Sequence, residues 1–439
     1  MERIPITEAP AHVGEDILIR GWVDVRRDHG KLVFLDVRDR SGKVQLVVLP
    51  GSDAIVSVAD VRNEYSVEIV GLVKERPERM RNSELATGGI EIEAKTLRVL
   101  GKPSVELPID VSQPELDVNL DTLLNHRTLS LRNVKVRAVF AIYSELLRSY
   151  DEVMRAGGFV EIKTPKILGA ATEGGANFFK IRYFDRDAFL AQSPQFYKQA
   201  AMSAFERVFE VGTVFRAEPH FTTRHVNEYT GLDAEMGFID GVEDIMAELE
   251  RTMKHIFRNI GKACATELSL YGASVPDDVA IPQIRLSEAE EILRAEYGKE
   301  LENHDIDSEG ERMICEYVKK TFGSDFVFLT HYPTNLRPFY SMPNPDDSSF
   351  TETFDLLFRG VEIASGGQRI HEADRLLDNI RQFGLNPEDF KDYIDIFRYG
   401  APPHGGWGLG SERIVQKLLG LGSIKEAVLY PRDVKRLTP

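Results

Sequence analysis

Five apolar runs rich in β-branched residues occupy most of the first hundred positions: 17–25 (ILIRGWVDV), 32–38 (LVFLDVR), 43–49 (KVQLVVL), 65–74 and 90–100. Apolar and polar residues often alternate within them, which is the period of a strand with one buried face. Ser41-Gly42 and Gly88-Gly89 punctuate the runs as turns. Short strands at this density predict a small closed β-barrel.

A five-stranded barrel makes the OB-fold the natural candidate for residues 1–103. Residues 104–130 read as a hinge: Pro103, Pro108 and Pro114 fall around its start, and the periodicity is weak. From 131 to 439 the pattern is mixed. Residues 133–156 carry apolar positions at helical spacing and stop at Gly157-Gly158. Residues 239–264 and 286–297 also read as helices, and 326–330, 353–358 and 361–364 as strands. Strands with helices set apart predict an α+β domain, an antiparallel sheet flanked by helices.

The net charge of −16 argues against a general nucleic-acid glue. The first 105 residues, however, are nearly neutral. Within them Arg20, Arg26, Arg27, Lys31, Arg38, Arg40 and Lys43 crowd into two predicted hairpin strands. That strip suits a nucleic-acid face, and a solvated strand face accounts for it equally well. Two cysteines, Cys264 and Cys315, exclude a disulfide-built scaffold and cysteine-ligated zinc. The first ten residues carry Glu2, Arg3 and Glu8 without the apolar core of a secretory leader. No run approaches the ~20 apolar residues that span a bilayer. The reducing cytoplasm is the expected setting.

Four segments could carry chemistry. In Val214-Phe215-Arg216-Ala217-Glu218, a strand would point Arg216 and Glu218 to one face, a guanidinium fork for a phosphate beside a carboxylate for an amine. Arg224-His225 and Asp233 follow a polar loop. The glycine-rich run 405–410 enters a helix at Ser411, whose N-terminus favours an anion. Arg413 in that first turn opposes the dipole unless a polyanion is bound. Asp355, Glu362 and Ser365 are oxygen donors suited to Mg²⁺ with water and phosphate. Thr172-Glu173-Gly174-Gly175 could close over an ammonium group, and Gln195 and Lys198 share a helical face. Each segment alone also reads as ordinary surface or turn.

Together and in this order, the segments resemble the signature motifs of class II aminoacyl-tRNA synthetases, and within that class the aspartyl-tRNA synthetase family over essentially the whole chain. Residues 158–165 (GFVEIKTP) resemble motif 1, Phe215-Arg216-Ala217-Glu218 with Arg224-His225 motif 2, and 408–413 (GLGSER) motif 3. The resemblance implies that aspartate attacks the α-phosphate of ATP, and that the aspartyl group then passes to a tRNA ribose hydroxyl. It implies catalytic roles for Arg216, Arg413 and Glu362. ATP would meet Arg216, Ala217, Glu218, Arg224, His225, Val226, Glu362, Gly410, Ser411, Glu412 and Arg413, with Mg²⁺ on Asp355, Glu362 and Ser365. Aspartate would meet Glu173, Gln195, Lys198, Arg216, Asp233, Ser365 and Arg369. Lys198 and Arg369 would hold its side-chain carboxylate, and a neutral amide would leave two buried cations poorly paired. An asparaginyl-tRNA synthetase, whose pattern lacks the lysine at 198, is the alternative, followed by a synthetase paralogue that makes a small molecule. The resemblance also implies a homodimer through motif 1.

In the barrel, Phe34, Gln45, Glu91 and Arg26 match the family's anticodon readers, Phe34 as a stacking platform. The barrel resembles the bacterial branch and the larger domain the archaeal and eukaryotic branch. His29, with Pro77 nearby in the pattern, stands where members that charge only tRNA(Asp) often carry leucine. The histidine implies a relaxed choice that includes tRNA(Asn), with a tRNA-dependent amidotransferase as partner.

Overall fold

The computed structural model describes residues 1–83, 85–169, 177–219, 222–301 and 305–439. They form two compact units, Met1–Leu116 and Asp117–Pro439. Among the described residues, no helix is long and apolar enough to cross a membrane.

In the first unit, β1 (Asp16–His29), β2 (Leu32–Arg38), β3 (Lys43–Val48), β4 (Ser66–Glu75) and β5 (Ile90–Gly101) close into a barrel in the order β1-β2-β3-β5-β4. Among the described barrel strands, β3 and β5 are the one parallel pair. The period-2 pattern sends Ile17, Ile19, Val33, Leu35, Val37, Val44, Leu46, Ile69 and Ile92 into one buried core. This is the OB-fold barrel of the sequence reading. On folding, four of the seven cations of the basic strip meet acidic partners outside their own strand. Arg38 is buried between Asp24 and Glu64, Lys43 pairs with Asp24, Arg27 with Asp36, and Arg20 with Glu68. Side chains close in sequence point to different faces of a strand, and acidic partners from neighbouring strands neutralise most of them.

In the second unit, β6 (Val160–Glu161), β10 (Arg207–Phe215), β11 (Glu228–Gly237), β12 (Gln283–Arg285), β13 (Phe326–Thr330), β14 (Thr353–Phe358), β15 (Val361–Arg369) and β16 (His404–Gly410) make an eight-stranded sheet. Its order is β12-β13-β14-β15-β16-β11-β10-β6. The six central strands are antiparallel, and the edge strands β6 and β12 are parallel to their neighbours. β7 (Ile167–Leu168), β8 (Lys180–Tyr183) and β9 (Arg186–Leu190) form a separate small sheet.

Two long amphipathic helices, Val134–Ala156 and Val242–Ala263, cover one face of the large sheet. Asn133 caps the first by accepting from Lys135 N and Val136 N, as its place before the periodic run predicts. Ile142, Leu146, Ile245 and Leu249 pack there on Phe209, Leu232, Ala234, Trp407 and Leu409. Alternation along β11 leaves Asp233 and Glu235 on the opposite face. The glycine-rich run is strand β16. A Cβ on Gly406 would lie 2.0 Å from the Ala234 carbonyl oxygen, so glycine here serves close strand packing. Residues 104–130 hold two short helices, Leu120–Asn125 and Arg127–Ser130. The buried Arg127 guanidinium donates to the Glu426, Val428 and Leu429 carbonyls, which fastens this stretch to the C-terminal segment.

Candidate active site and outer barrel face

The face of the sheet away from the two long helices opens into a pocket. β10 and β11 are a hairpin, with Phe215 opposite Glu228. β10 ends at Phe215, so Arg216 and Glu218 lie just beyond the strand rather than within it. They still point the same way: Arg216 Nη1 is 3.9 Å from Glu218 Oε1. Asn227 maintains this geometry. Its Nδ2 donates to the Arg216 carbonyl at 2.6 Å and the Glu218 carbonyl at 3.2 Å, and its backbone N–H donates to the Arg432 carbonyl. In the sequence Asn227 stands in the motif without a role of its own, and only its burial and these bonds assign it one.

Arg216, Glu218, Arg224, His225, Val226, Gly410, Glu412 and Arg413 all line the pocket. These three guanidinium groups, two from the β10–β11 connection and one from the Ser411–Leu419 helix, thus face one cavity, an arrangement for a polyanion. His225 lies 3.4 Å from Glu218 Oε2. Arg224 pairs with Glu311 on the Ser308–Phe322 helix, another residue the sequence reading missed. Burial pushes the Glu311 carboxyl up, with Arg224 opposing. Ala217 is turned to a different task, its N–H donating to the Asn177 carbonyl. Ser411 bonds Thr230 O and Tyr143, and Glu412 accepts from Tyr143 and the Thr230 N–H. These two side chains lock the Ser411–Leu419 helix to β11 and the Val134–Ala156 helix. Burial raises the Glu412 carboxyl despite those donors.

At another wall, Gln195 and Lys198 do share one face of the Gln195–Phe205 helix, and both line the pocket with Asp233 and Arg369. The Lys198 ammonium donates to Asp233 Oδ1 at 2.9 Å and the Trp407 carbonyl at 2.8 Å, with Glu235 Oε2 at 3.5 Å. Arg369 Nε donates to Glu235 Oε1 at 3.3 Å, and Nη2 donates to the Gly406 carbonyl at 3.0 Å. This corrects the sequence-based argument, which treated the two cations as bare. Each already faces a carboxylate, and Glu235 was the missing partner. Its place two residues after Asp233 on one strand was the available clue.

Asp355 and Ser365 are opposite each other in the β14–β15 register. Asp355 Oδ1 is buried without a hydrogen-bond partner, and Glu362 lines the pocket with Ser365. These hard oxygen donors fit Mg²⁺. Among the described residues, no three His, Cys, Asp or Glu gather as a cage, so such a cation would need phosphate or water oxygens as well. Glu173 lies outside the described residues.

On the barrel, Phe34 stands opposite Val47 and Gln45 opposite Asp36. Phe34 and Gln45 therefore share a face, half-exposed and opposite to the core residues Val33, Leu35 and Leu46. The parallel β3–β5 register, with Leu46 opposite Ile92, brings Glu91 beside Gln45. Glu91 lies 3.8 Å from Arg76. His29 is exposed and meets the Phe34 ring edge-on at 5.8 Å, while Pro77 is exposed before the turn Glu78–Met80. Arg26 departs from this group. A bulge between Val23 and Val25 sets it opposite the core residue Leu35, and its Nη1 donates to the Val58 and Val61 carbonyls, both at 2.7 Å.

The model of the class II tRNA synthetases for aspartate, lysine and asparagine matches residues 119–434, and that of the OB-fold nucleic-acid-binding domain matches residues 17–100. The chain belongs to the class II aminoacyl-tRNA synthetases. The Aeropyrum pernix aspartate–tRNA(Asp/Asn) ligase is 46% identical over 97% of this chain and 96% of its own. The Deinococcus radiodurans enzyme of the same name is 43% identical over 100% and 99%. A solved structure of asparaginyl-tRNA synthetase from Pyrococcus horikoshii, complexed with asparaginyl-adenylate, covers all of both chains with TM-score 0.90 at 31% identity. For this synthetase, then, the fold alone does not separate aspartate from asparagine, and side chains must.

Proposed function

We infer that this synthetase is an aspartate–tRNA ligase that charges tRNA(Asp) and also tRNA(Asn). The observation that carries the amino-acid choice is the Lys198–Asp233–Glu235–Arg369 network in the pocket wall. An aspartate side chain can take hydrogen bonds from both cations as they shift from their resident carboxylates. An asparagine amide is neutral and offers the two cations a single acceptor oxygen, so it competes less well with the resident carboxylates for them. The names of the relatives from Aeropyrum and Deinococcus support the same choice and the breadth toward tRNA(Asn). His29 supports that breadth through its place beside Phe34.

In this reading Arg216 holds the α-phosphate and the attacking carboxylate, Glu218 accepts from the adenine amine, and Arg224, His225 and Arg413 bind the bent triphosphate. Catalysis is positioning and charge neutralisation, with no covalent enzyme intermediate. Mg²⁺, held by Glu362, Asp355 and Ser365, would offset phosphate charge. Phe34, Gln45 and Glu91 would read the anticodon. The family resemblance further supports a cytoplasmic homodimer whose aspartyl-tRNA(Asn) is passed to an amidotransferase.

The test is aminoacylation of both tRNA transcripts with both amino acids. Aspartate should be joined to both tRNAs and asparagine to neither. Asparagine uptake would overturn the amino-acid choice, and an uncharged tRNA(Asn) would overturn the relaxed choice alone. Arg369→Ala should nearly abolish aspartate-dependent pyrophosphate exchange.

A further inference from the structure

Arg337 lies outside every motif singled out in the sequence, yet it lines the pocket. Its side chain is only 10% exposed, and its guanidinium rests 3.6 Å above the Tyr332 ring. Nη2 lies 2.8 Å from Asp355 Oδ2, and Nη1 donates to Ser365 Oγ at 3.0 Å. Glu362 faces a second guanidinium, with Arg413 Nη1 3.6 Å from Glu362 Oε2. Both carboxylates of the cation site are thus already matched by fixed positive charge. A divalent cation entering by itself would bring two uncompensated positive charges into a partly buried site, which is costly at low dielectric.

We propose that Arg337 is a built-in counter-cation that makes divalent-metal binding depend on the nucleotide. The triphosphate supplies the missing negative charge and draws Arg413 from Glu362. The metal then shares Asp355 with Arg337, taking the oxygen that Arg337 leaves bare. Metal without nucleotide is repelled. Arg337 is a positioning residue in this scheme, and the proposal rests on the reading of the pocket as an ATP site.

The probe is Mn²⁺ alone, its free concentration read by electron paramagnetic resonance on the full chain. Arg337→Met should bind Mn²⁺ without nucleotide at least about tenfold tighter than the unsubstituted chain, because Asp355 and Glu362 then share one guanidinium. Arg337→Lys keeps the charge and should behave as the unsubstituted chain. Adding Asp355→Asn to Arg337→Met should remove the gain. No gain in the methionine variant, or a gain that survives Asp355→Asn, overturns the proposal. If methionine packs poorly over Tyr332, Arg337→Gln keeps a planar head and is read the same way. Aspartate-dependent pyrophosphate exchange by the unsubstituted chain is measured in parallel. Its absence would sink the functional reading, whereas intact exchange with no gain in Mn²⁺ binding would sink this inference alone.

Discussion

Lys198→Met removes one charge and little volume from the most tightly paired part of the pocket. Asp233 and Glu235 keep side-chain exposures of 7% and 0%, so neither gains water in compensation. Arg369 stays with Glu235, and Asp233 loses its ammonium donor. Removing one partner of a buried pair costs about 3–5 kcal/mol. For a unit as large as Asp117–Pro439, near 2 °C per kcal/mol, that lowers the melting temperature by roughly 6–10 °C. Adding Asp233→Asn removes the stranded carboxylate and should restore more than half of the loss. Pyrophosphate exchange should fail to recover in the double variant, since the aspartate-binding cation is still missing. Scanning calorimetry and the exchange assay on both variants check this. A single variant that melts within about 2 °C of the unsubstituted chain, or a double variant less stable than the single, would refute the reasoning that Lys198 is a charge-balancing member of the network.

Asn227→Ala should raise the KM for ATP about tenfold and lower the melting temperature by about 4 °C, because two hydrogen bonds near 1 kcal/mol each hold Arg216 and Glu218 in place. Phe34→Ala should weaken tRNA binding by about 1–3 kcal/mol without lowering barrel stability, the loss of one stacked base, measured by filter binding. Arg26→Ala should do the reverse, melting the barrel earlier because the Val58 and Val61 carbonyls each lose one of their two donors. Burial lowers the His404 pKa below its ordinary 6.5, with Glu235 opposing. The unfolded chain then binds more protons just below pH 6.5, so stability should fall as pH drops through that value, and His404→Gln should flatten the slope of melting temperature against pH.

Strand positions were legible in the sequence where alternation was strong and local. Residues 32–38, 326–330 and 353–358 are strands to the residue, and 286–297 is a helix to the residue. β15 was read short, as 361–364, because Gly366 and Gly367 look like a turn. Their pairing with Phe354 and Thr353 keeps the strand going to Arg369. The motif arginines were legible for a related reason. Arg216, Arg224 and Arg413 sit in short ordered patterns, and those patterns bring them to one pocket.

Charge partnership was not legible, because it joins residues far apart in the chain. Lys198 meets Asp233 across 35 positions, Arg369 meets Glu235 across 134, and Arg127 reaches the C-terminal carbonyls across about 300. The same holds for the barrel, where a group of seven cations reads as a basic strip and only folding shows which four meet acids across the strands. The sequence by itself determined the barrel, the mixed second unit and the residue types that meet nucleotide and amino acid. Only the tertiary structure decided which of those charges are already matched, since matching depends on distance through space, and Coulomb energy in a buried site turns on a few ångströms.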